Sequence, residues 1–168
     1  MLKTKVKLLV TSGLFTAMVA ALTFFPKIPI GTGYIHLGDS MIYLAACILP
    51  FPYALFVAGI GGAMADWVGG YAIWILPTLI IKALNALPFS PKSDKILTKR
   101  NALMTIVSGA VTIVGYTIAH IILFDFAGAI AGISGGAIQA LGGAIVFVAV
   151  AAGLDKMRFK QKLLHKEI

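Results

Sequence analysis

Long uncharged apolar stretches, separated by a few short basic segments, constrain this chain more than any motif in it. Twelve of its fourteen Lys and Arg residues fall in three clusters: Lys3, Lys5 and Lys7; Lys92, Lys95, Lys99 and Arg100; and Lys156, Arg158, Lys160, Lys162 and Lys166. Sixty per cent of the chain is hydrophobic and only 12% is charged. A mean hydropathy of +0.97 over 168 residues leaves more apolar surface than a soluble globule of this size can hide. Lipid must therefore be the solvent for much of it. In lipid the backbone satisfies its own hydrogen bonds only as helices or as a closed barrel, and these segments are too long and too continuously apolar for alternating barrel strands. The expected fold class is an all-α integral membrane protein. The net charge of +8 then records orientation in the membrane and is no sign of a nucleic-acid partner.

Charge placement also sets the number of spans. The first apolar run is Leu8–Phe25, closed by Pro26. It follows a basic start that resembles a signal-peptide n-region, but at eighteen residues it is longer than the usual signal core, and a retained span is expected. Two prolines and three glycines in Pro26–Gly38 argue for an irregular segment, flexible enough to act as a lid. Ser40–Ala65 then carries no charge for twenty-six residues. Read as one span, it gives five helices and puts the basic loop and tail opposite the basic N-terminus. Broken by a tight turn at Pro50-Phe51-Pro52, it gives six spans, about 8–25, 38–51, 53–70, 72–88, 102–124 and 134–154, and all three basic clusters share one side. The positive-inside rule selects six spans in a single transmembrane domain over residues 1–168, with both termini cytoplasmic. The second span is then short: fourteen residues at ~1.5 Å each cover about 21 Å of a ~30 Å core. It must be thinned over, extended by the preceding loop or shielded by protein. No repeat of transporter length is evident.

Small residues show where helices approach one another. Gly13, Ala17 and Ala21 form one smooth stripe on the first span. The third span carries AGIGGAMA (Ala58–Ala65), and the sixth carries Gly132, Gly136 and Ala140 with Gly135 and Gly143 nearby. Such stripes let helices pack closely in lipid; internal packing suits the third and sixth spans, whereas the first-span stripe suits either packing or docking of a partner helix. None of the glycine runs follows a strand or ends in Gly-Lys-Ser/Thr, so no phosphate-binding fingerprint is present.

Polar residues within spans are expensive and face a cavity or a partner. They gather toward the side expected to be outside: His36, Asp39 and Tyr43 at the start of span two; Asp66, Trp67, Tyr71 and Trp74 around the connection of spans three and four; Tyr116, His120 and Asp125 at the end of span five; and Gln139 in span six. Aromatic faces together with carboxylate, imidazole and amide groups suit a small, flat, polar ligand. The plainer reading is an interfacial aromatic belt with helix-capping aspartates. It fits Asp39 better than Asp66, which ends a helix where negative charge opposes the dipole. Lys82 falls near mid-membrane and needs Asp39 or Asp66 as counter-charge, a ligand, or a snorkelling path; Asn85 one turn on can extend a polar strip. With one Cys, three His and no His-x-x-x-His pair, neither a metal centre nor catalysis is expected.

The Gly13/Ala17/Ala21 stripe and the runs GYIHLGDSMIYLAACILP (Gly33–Pro50), GIGGAMADWVGGY (Gly59–Tyr71) and PTLIIKALNAL (Pro77–Leu87) follow one another as in a known family. The chain resembles the S components of energy-coupling-factor (ECF) vitamin transporters, which are small six-helix substrate-capture subunits. The resemblance implies binding of a vitamin or precursor from outside and docking of the first-span stripe on a membrane T component. Two ATP-binding-cassette ATPases then use the ATP, so this chain carries no cofactor of its own. The stripe begins with Gly13 where many relatives have Ala. The HLGD and ADWVGGY runs are most similar to the branch assigned to hydroxymethylpyrimidine, the thiamin precursor, or to pyridoxine. Two rivals stay open on residues alone: a stand-alone proton-coupled carrier using Asp66, Lys82 or His120, and an accessory membrane protein without ligand.

Overall fold

A computed structural model describes residues 2–30 and 33–165; Lys166, and residues 31 and 32 within the expected lid, lie outside the described residues. The chain is predominantly helical, in the order α1 (Leu2–Phe24), β1 (Ile28–Ile30), β2 (Gly33–Ile35), α2 (Gly38–Ile48), α3 (Phe51–Gly69), α4 (Ile75–Ala86), α5 (Lys99–Leu123), α6 (Phe126–Lys156) and α7 (Phe159–His165), with a 3-10 turn over Ala72–Trp74. Four stretches, Lys5–Phe24, Phe51–Gly69, Lys99–Leu123 and Phe126–Lys156, are long and apolar enough to cross a membrane, and Gly38–Ile48 and Ala72–Ala86 are shorter apolar helices. Bulky residues such as Ile106 (70% exposed) and Ile122 (76%) face outward, as lipid-facing side chains do.

Local chemistry explains the element ends. The double proline breaks Ser40–Ala65 between Ile48 and Phe51, with Pro52 in the first turn of α3, where its missing N–H costs nothing. Gly70 ends α3 at φ 80°, the left-handed conformation glycine adopts most readily. Thr98 Oγ1 accepts from Asn101 N at 3.0 Å to start α5, and Asp125 Oδ1 accepts from Gly128 N at 2.7 Å to start α6.

Two expectations change here. The expected irregular lid is an antiparallel hairpin, pairing Ile28 with Ile35, Pro29 with Tyr34 and Ile30 with Gly33. Helix α6 begins eight residues earlier than the expected sixth span, at Phe126 rather than 134. With no water to take its N–H and C=O groups, even a glycine-rich backbone keeps its helical bonds.

The shortness of α2 is resolved by shielding. Eleven residues rise about 16 Å, and every residue from Gly38 to Ile48 is buried among α1, α3, α4 and α6. Gly38 is the close-approach point: a Cβ there would run into the Thr23 side chain and come within 3.1 Å of Val19 O on α1. The third-span glycines serve packing, since Cβ atoms at Gly59, Gly61 and Gly62 would meet Leu79 O at 2.9 Å, Val19 at 2.8 Å and Thr78 at 2.8 Å.

The three basic segments converge on one end of the bundle. Leu8, Ile96, Leu97, Phe159 and Leu163 join one apolar cluster. Asp155 accepts from Ile96 N (2.8 Å) and Leu97 N (2.9 Å). Lys160 Nζ donates to Cys47 O (2.7 Å), Pro91 O (2.6 Å) and Ser93 O (2.6 Å). The hairpin closes the opposite end.

Candidate functional site

At the hairpin end the helices part around a cavity of about 300 Å³, the lower end of the ~300–1,000 Å³ span of ligand pockets. Each wall comes from a different element. Tyr34 and His36 enter from the hairpin and the turn into α2, Asp66 from the end of α3, Trp74 from the 3-10 turn and Thr78 from the start of α4. Thr112, Tyr116, Thr117 and His120 descend α5, and Gly132, Gly135, Gly136 and Gln139 line α6. The α6 glycines matter because a Cβ at Gly132 would meet nothing within 4 Å. The outer half of the sixth-span small-residue run thus borders open space, while its inner half packs: a Cβ at Gly143 would meet Asp39 Cβ at 3.3 Å.

The aromatic part falls into two groups of rings. Trp74 is 5.8 Å from Tyr116, 5.9 Å from His120 and 5.7 Å from Phe124 by ring centroids. Tyr34 lies against His36 (5.6 Å) and Tyr71 (4.8 Å). These rings offer faces for a flat ligand.

The polar part is specific. Tyr34 Oη donates to Asp66 Oδ1 at 2.7 Å; burial, and then the Asp66 charge, raise the phenol far above its ordinary range, so it stays a donor. Asp66 Oδ2 is buried with no hydrogen-bond partner among the described residues. His36 Nδ1 accepts from Gly38 N at 3.1 Å, and burial, reinforced by Lys82, pushes the imidazole down to about 3. His36 is therefore neutral. Thr78 and Tyr116 hydroxyls are 3.0 Å apart, and Gln139 Nε2 donates to Asp39 Oδ2 at 2.9 Å. Among the described residues, no three His, Cys, Asp or Glu converge in a way that could hold a metal ion.

Of the expected site residues, His36, Asp66, Trp74, Tyr116, His120 and Gln139 line the cavity. The others stand elsewhere, for stated reasons. Asp39 and Lys82 sit behind Gln139 as a buried ion pair, 2.6 Å from Nζ to Oδ1, so Lys82 has its counter-charge in Asp39 and neither snorkels nor lines the cavity. Asp39 caps no helix with its side chain; both its oxygens are taken. Tyr43 belongs to the core, 4.8 Å from Phe89 and 5.8 Å from Phe147. Tyr71 braces Tyr34 from outside the lining. Trp67 is 71% exposed and turns away from the cavity, because it follows Asp66 on the helix and so faces another direction. Asn85 does extend the polar strip, donating to Thr112 Oγ1 at 2.7 Å.

Sequence reasoning missed Tyr34, Thr78, Thr112 and Thr117 as lining residues. Thr112, Tyr116 and His120 recur every four residues on α5, a polar helix face that was there to be read. Tyr34 gave no such signal, because three-residue strands are too short for a periodic pattern.

Gly13, Ala17 and Ala21 are exposed on α1, and a Cβ at Gly13 would meet nothing within 4 Å. The stripe lies opposite the face that buries Phe15, Val19 and Thr23, so this chain does not use it for its own packing.

Two comparisons bear on this arrangement. A protein of Pyrococcus woesei described as an uncharacterized protein in the gap 3′ region is 32% identical over 131 residues, 76% of this chain and 88% of the relative. The family model for the ECF-type riboflavin transporter S component matches residues 3–156. This is a multi-pass membrane protein of a transporter-subunit class, not an enzyme class, and the chain belongs to the ECF-type riboflavin transporter S component family.

Proposed function

We propose that this chain is the substrate-capture subunit of an ATP-driven importer in the cell membrane, binding a small heteroaromatic vitamin or precursor from outside. The observation that carries this is the cavity of about 300 Å³, bordered by Trp74, Tyr116 and Tyr34 rings and by the polar groups of His36, Asp66 and Gln139. Its size favours a ligand with one substituted ring, hydroxymethylpyrimidine first and pyridoxine next. Riboflavin is the second reading, favoured by the description of the matching family; its three fused rings and polyol tail require a larger space.

The orientation proposed with this function has six membrane crossings and both termini in the cytoplasm. The convergence of the three basic segments on one end supports it. The proposed partners are a membrane T component and two ATP-binding-cassette ATPases, with ATP consumed by the latter. The exposed first-helix stripe supports a docking partner.

Mass spectrometry of small molecules co-purified with the protein tests the reading, followed by calorimetry with hydroxymethylpyrimidine, pyridoxine and riboflavin. Tight binding of one ring-containing vitamin by the isolated subunit is the expected result. Uptake by this chain alone, driven by a pH gradient in vesicles, would instead establish a stand-alone carrier.

A further inference from the structure

We infer that the buried Asp39–Lys82 pair sets the hydrogen-bonding polarity of the cavity through Gln139, so that the cavity selects a ligand that donates hydrogen bonds at that wall. The inference rests on the proposal that the cavity holds a heteroaromatic ligand and names the chemical class more closely.

A carboxylate has only acceptor oxygens, whereas a carboxamide has one donor end and one acceptor end. Asp39 Oδ1 is taken by Lys82 Nζ at 2.6 Å, and Asp39 Oδ2 faces Gln139. Gln139 must therefore turn its NH₂ to Asp39, as it does at 2.9 Å. Its Oε1 is left without a hydrogen-bond partner among the described residues, on a side chain that is 6% exposed and lines the cavity. Lys82 is held in the same arrangement, and its three donors and lack of any acceptor keep Asp39 from reorienting toward the ligand. Asp39 is thus a positioning residue: it touches no ligand and fixes which end of Gln139 does.

Two further lining groups of fixed polarity extend the pattern. The Gly38 N–H bond occupies His36 Nδ1 as acceptor, so the proton of the neutral ring is on Nε2, a donor. Asp66 Oδ2 is a second acceptor without a partner. The cavity accordingly presents fixed acceptors from Gln139 and Asp66 and a fixed donor from His36. The Thr23 hydroxyl, which also lines it and has no partner among the described residues, can turn to donate or to accept. The complementary ligand is an uncharged azine that offers two donors and one acceptor, such as an amino-substituted ring nitrogen heterocycle carrying a hydroxymethyl group. A site with fixed, buried polar groups rejects an analogue of reversed polarity strongly, because the groups then face like partners.

The test compares 4-amino-5-hydroxymethyl-2-methylpyrimidine with its 4-oxo counterpart, which exchanges donor and acceptor at two adjacent ring positions. Calorimetry on the full chain in detergent is expected to give at least about 100-fold tighter binding of the amino compound. In the double variant Asp39→Asn/Lys82→Met the two charges leave together, and the new carboxamide at position 39 can donate as well as accept. Gln139 is then free to flip, and the preference is expected to fall by about tenfold or more. Gln139→Met, which leaves the ion pair intact and removes the acceptor, should lose the preference in the same way and serves if the double variant does not fold. A wild-type preference for the 4-oxo compound overturns the inference, as does an undiminished amino preference in Gln139→Met. Binding of neither pyrimidine, with riboflavin bound, overturns the pyrimidine assignment while leaving the capture role standing. Binding of no ring compound at all overturns both.

Discussion

Lys82 Nζ lies 2.6 Å from Asp39 Oδ1, with the two side chains 1% and 0% exposed, at the junction of α4, α2 and α6. A buried pair of this kind contributes little net stability over an apolar substitute, yet losing one partner leaves a bare charge. Lys82→Met is therefore expected to destabilise the protein by about 3–5 kcal/mol, read as a lowered thermal midpoint in detergent. Asp39→Asn/Lys82→Met should recover most of that loss. A single variant as stable as the wild type would show that the charges are solvated after all.

At the opposite end, Lys160 ties three carbonyls that nothing apolar can satisfy: Cys47 O at the end of α2, and Pro91 O and Ser93 O in the connection to α5. Charged hydrogen bonds to partly buried groups are worth about 1.5–3 kcal/mol. Lys160→Met should cost about that much and expose the 91–98 segment, so that trypsin cuts faster at Lys92 and Lys95. Ligand affinity at the hairpin end should not change. Unaltered proteolysis would remove Lys160 as the tie.

Acid should loosen the hairpin end through His36. Its folded-state value of about 3 lies below the ordinary 6.5, so in that window the unfolded chain takes up a proton that the folded chain refuses. Stability then rises with pH, and is lost as pH falls from about 6.5 toward about 3, with a slope of at most about 1.4 kcal/mol per pH unit. His36→Asn keeps an acceptor for the Gly38 N–H and removes the titration. Thermal midpoints between pH 7.5 and 4.5 should fall less steeply for the variant. Parallel curves for the two proteins would mean that other groups carry the acid sensitivity.

How far the fold could be read in advance varied with the kind of signal. The helices at residues 8–25 and 53–70 were visible because lipid demands continuous apolar runs, and Pro50 and Pro52 marked the α2–α3 turn through backbone chemistry alone. The hairpin was not visible, since Pro29 and flanking glycines look like a loop and each strand pairs only three residues. The α6 start was misplaced because glycines that break helices in water are kept helical in lipid, although Asp125 stood ready as its cap. In the site, residue types were legible and depth was not. His36, Asp66 and Gln139 advertise polar chemistry, but only the packing of helix on helix decides that Lys82 meets Asp39 rather than Asp66, and that Asp66 rather than its neighbour Trp67 turns inward.

The α1 stripe gives the sharpest separation of roles. Gly13, Ala17 and Ala21 are exposed while Phe15, Val19 and Thr23 of the same helix are buried, so bulk added to the stripe disturbs no contact within the chain. Small residues are needed only where another backbone comes close. Ala17→Leu/Ala21→Leu is thus expected to fold with a thermal midpoint near that of the wild type and to bind ligand with unchanged affinity. On co-expression with the cognate T component and ATPases it should fail to co-purify with them, and ATP-driven uptake should fall at least tenfold. Gly13→Ala, which adds one methyl group, should have a smaller effect on assembly. Normal co-purification of the double variant would detach the stripe from docking, and loss of ligand binding would instead show that bulk on this face displaces α1 and, with it, Thr23, which lines the cavity from the opposite face of the helix.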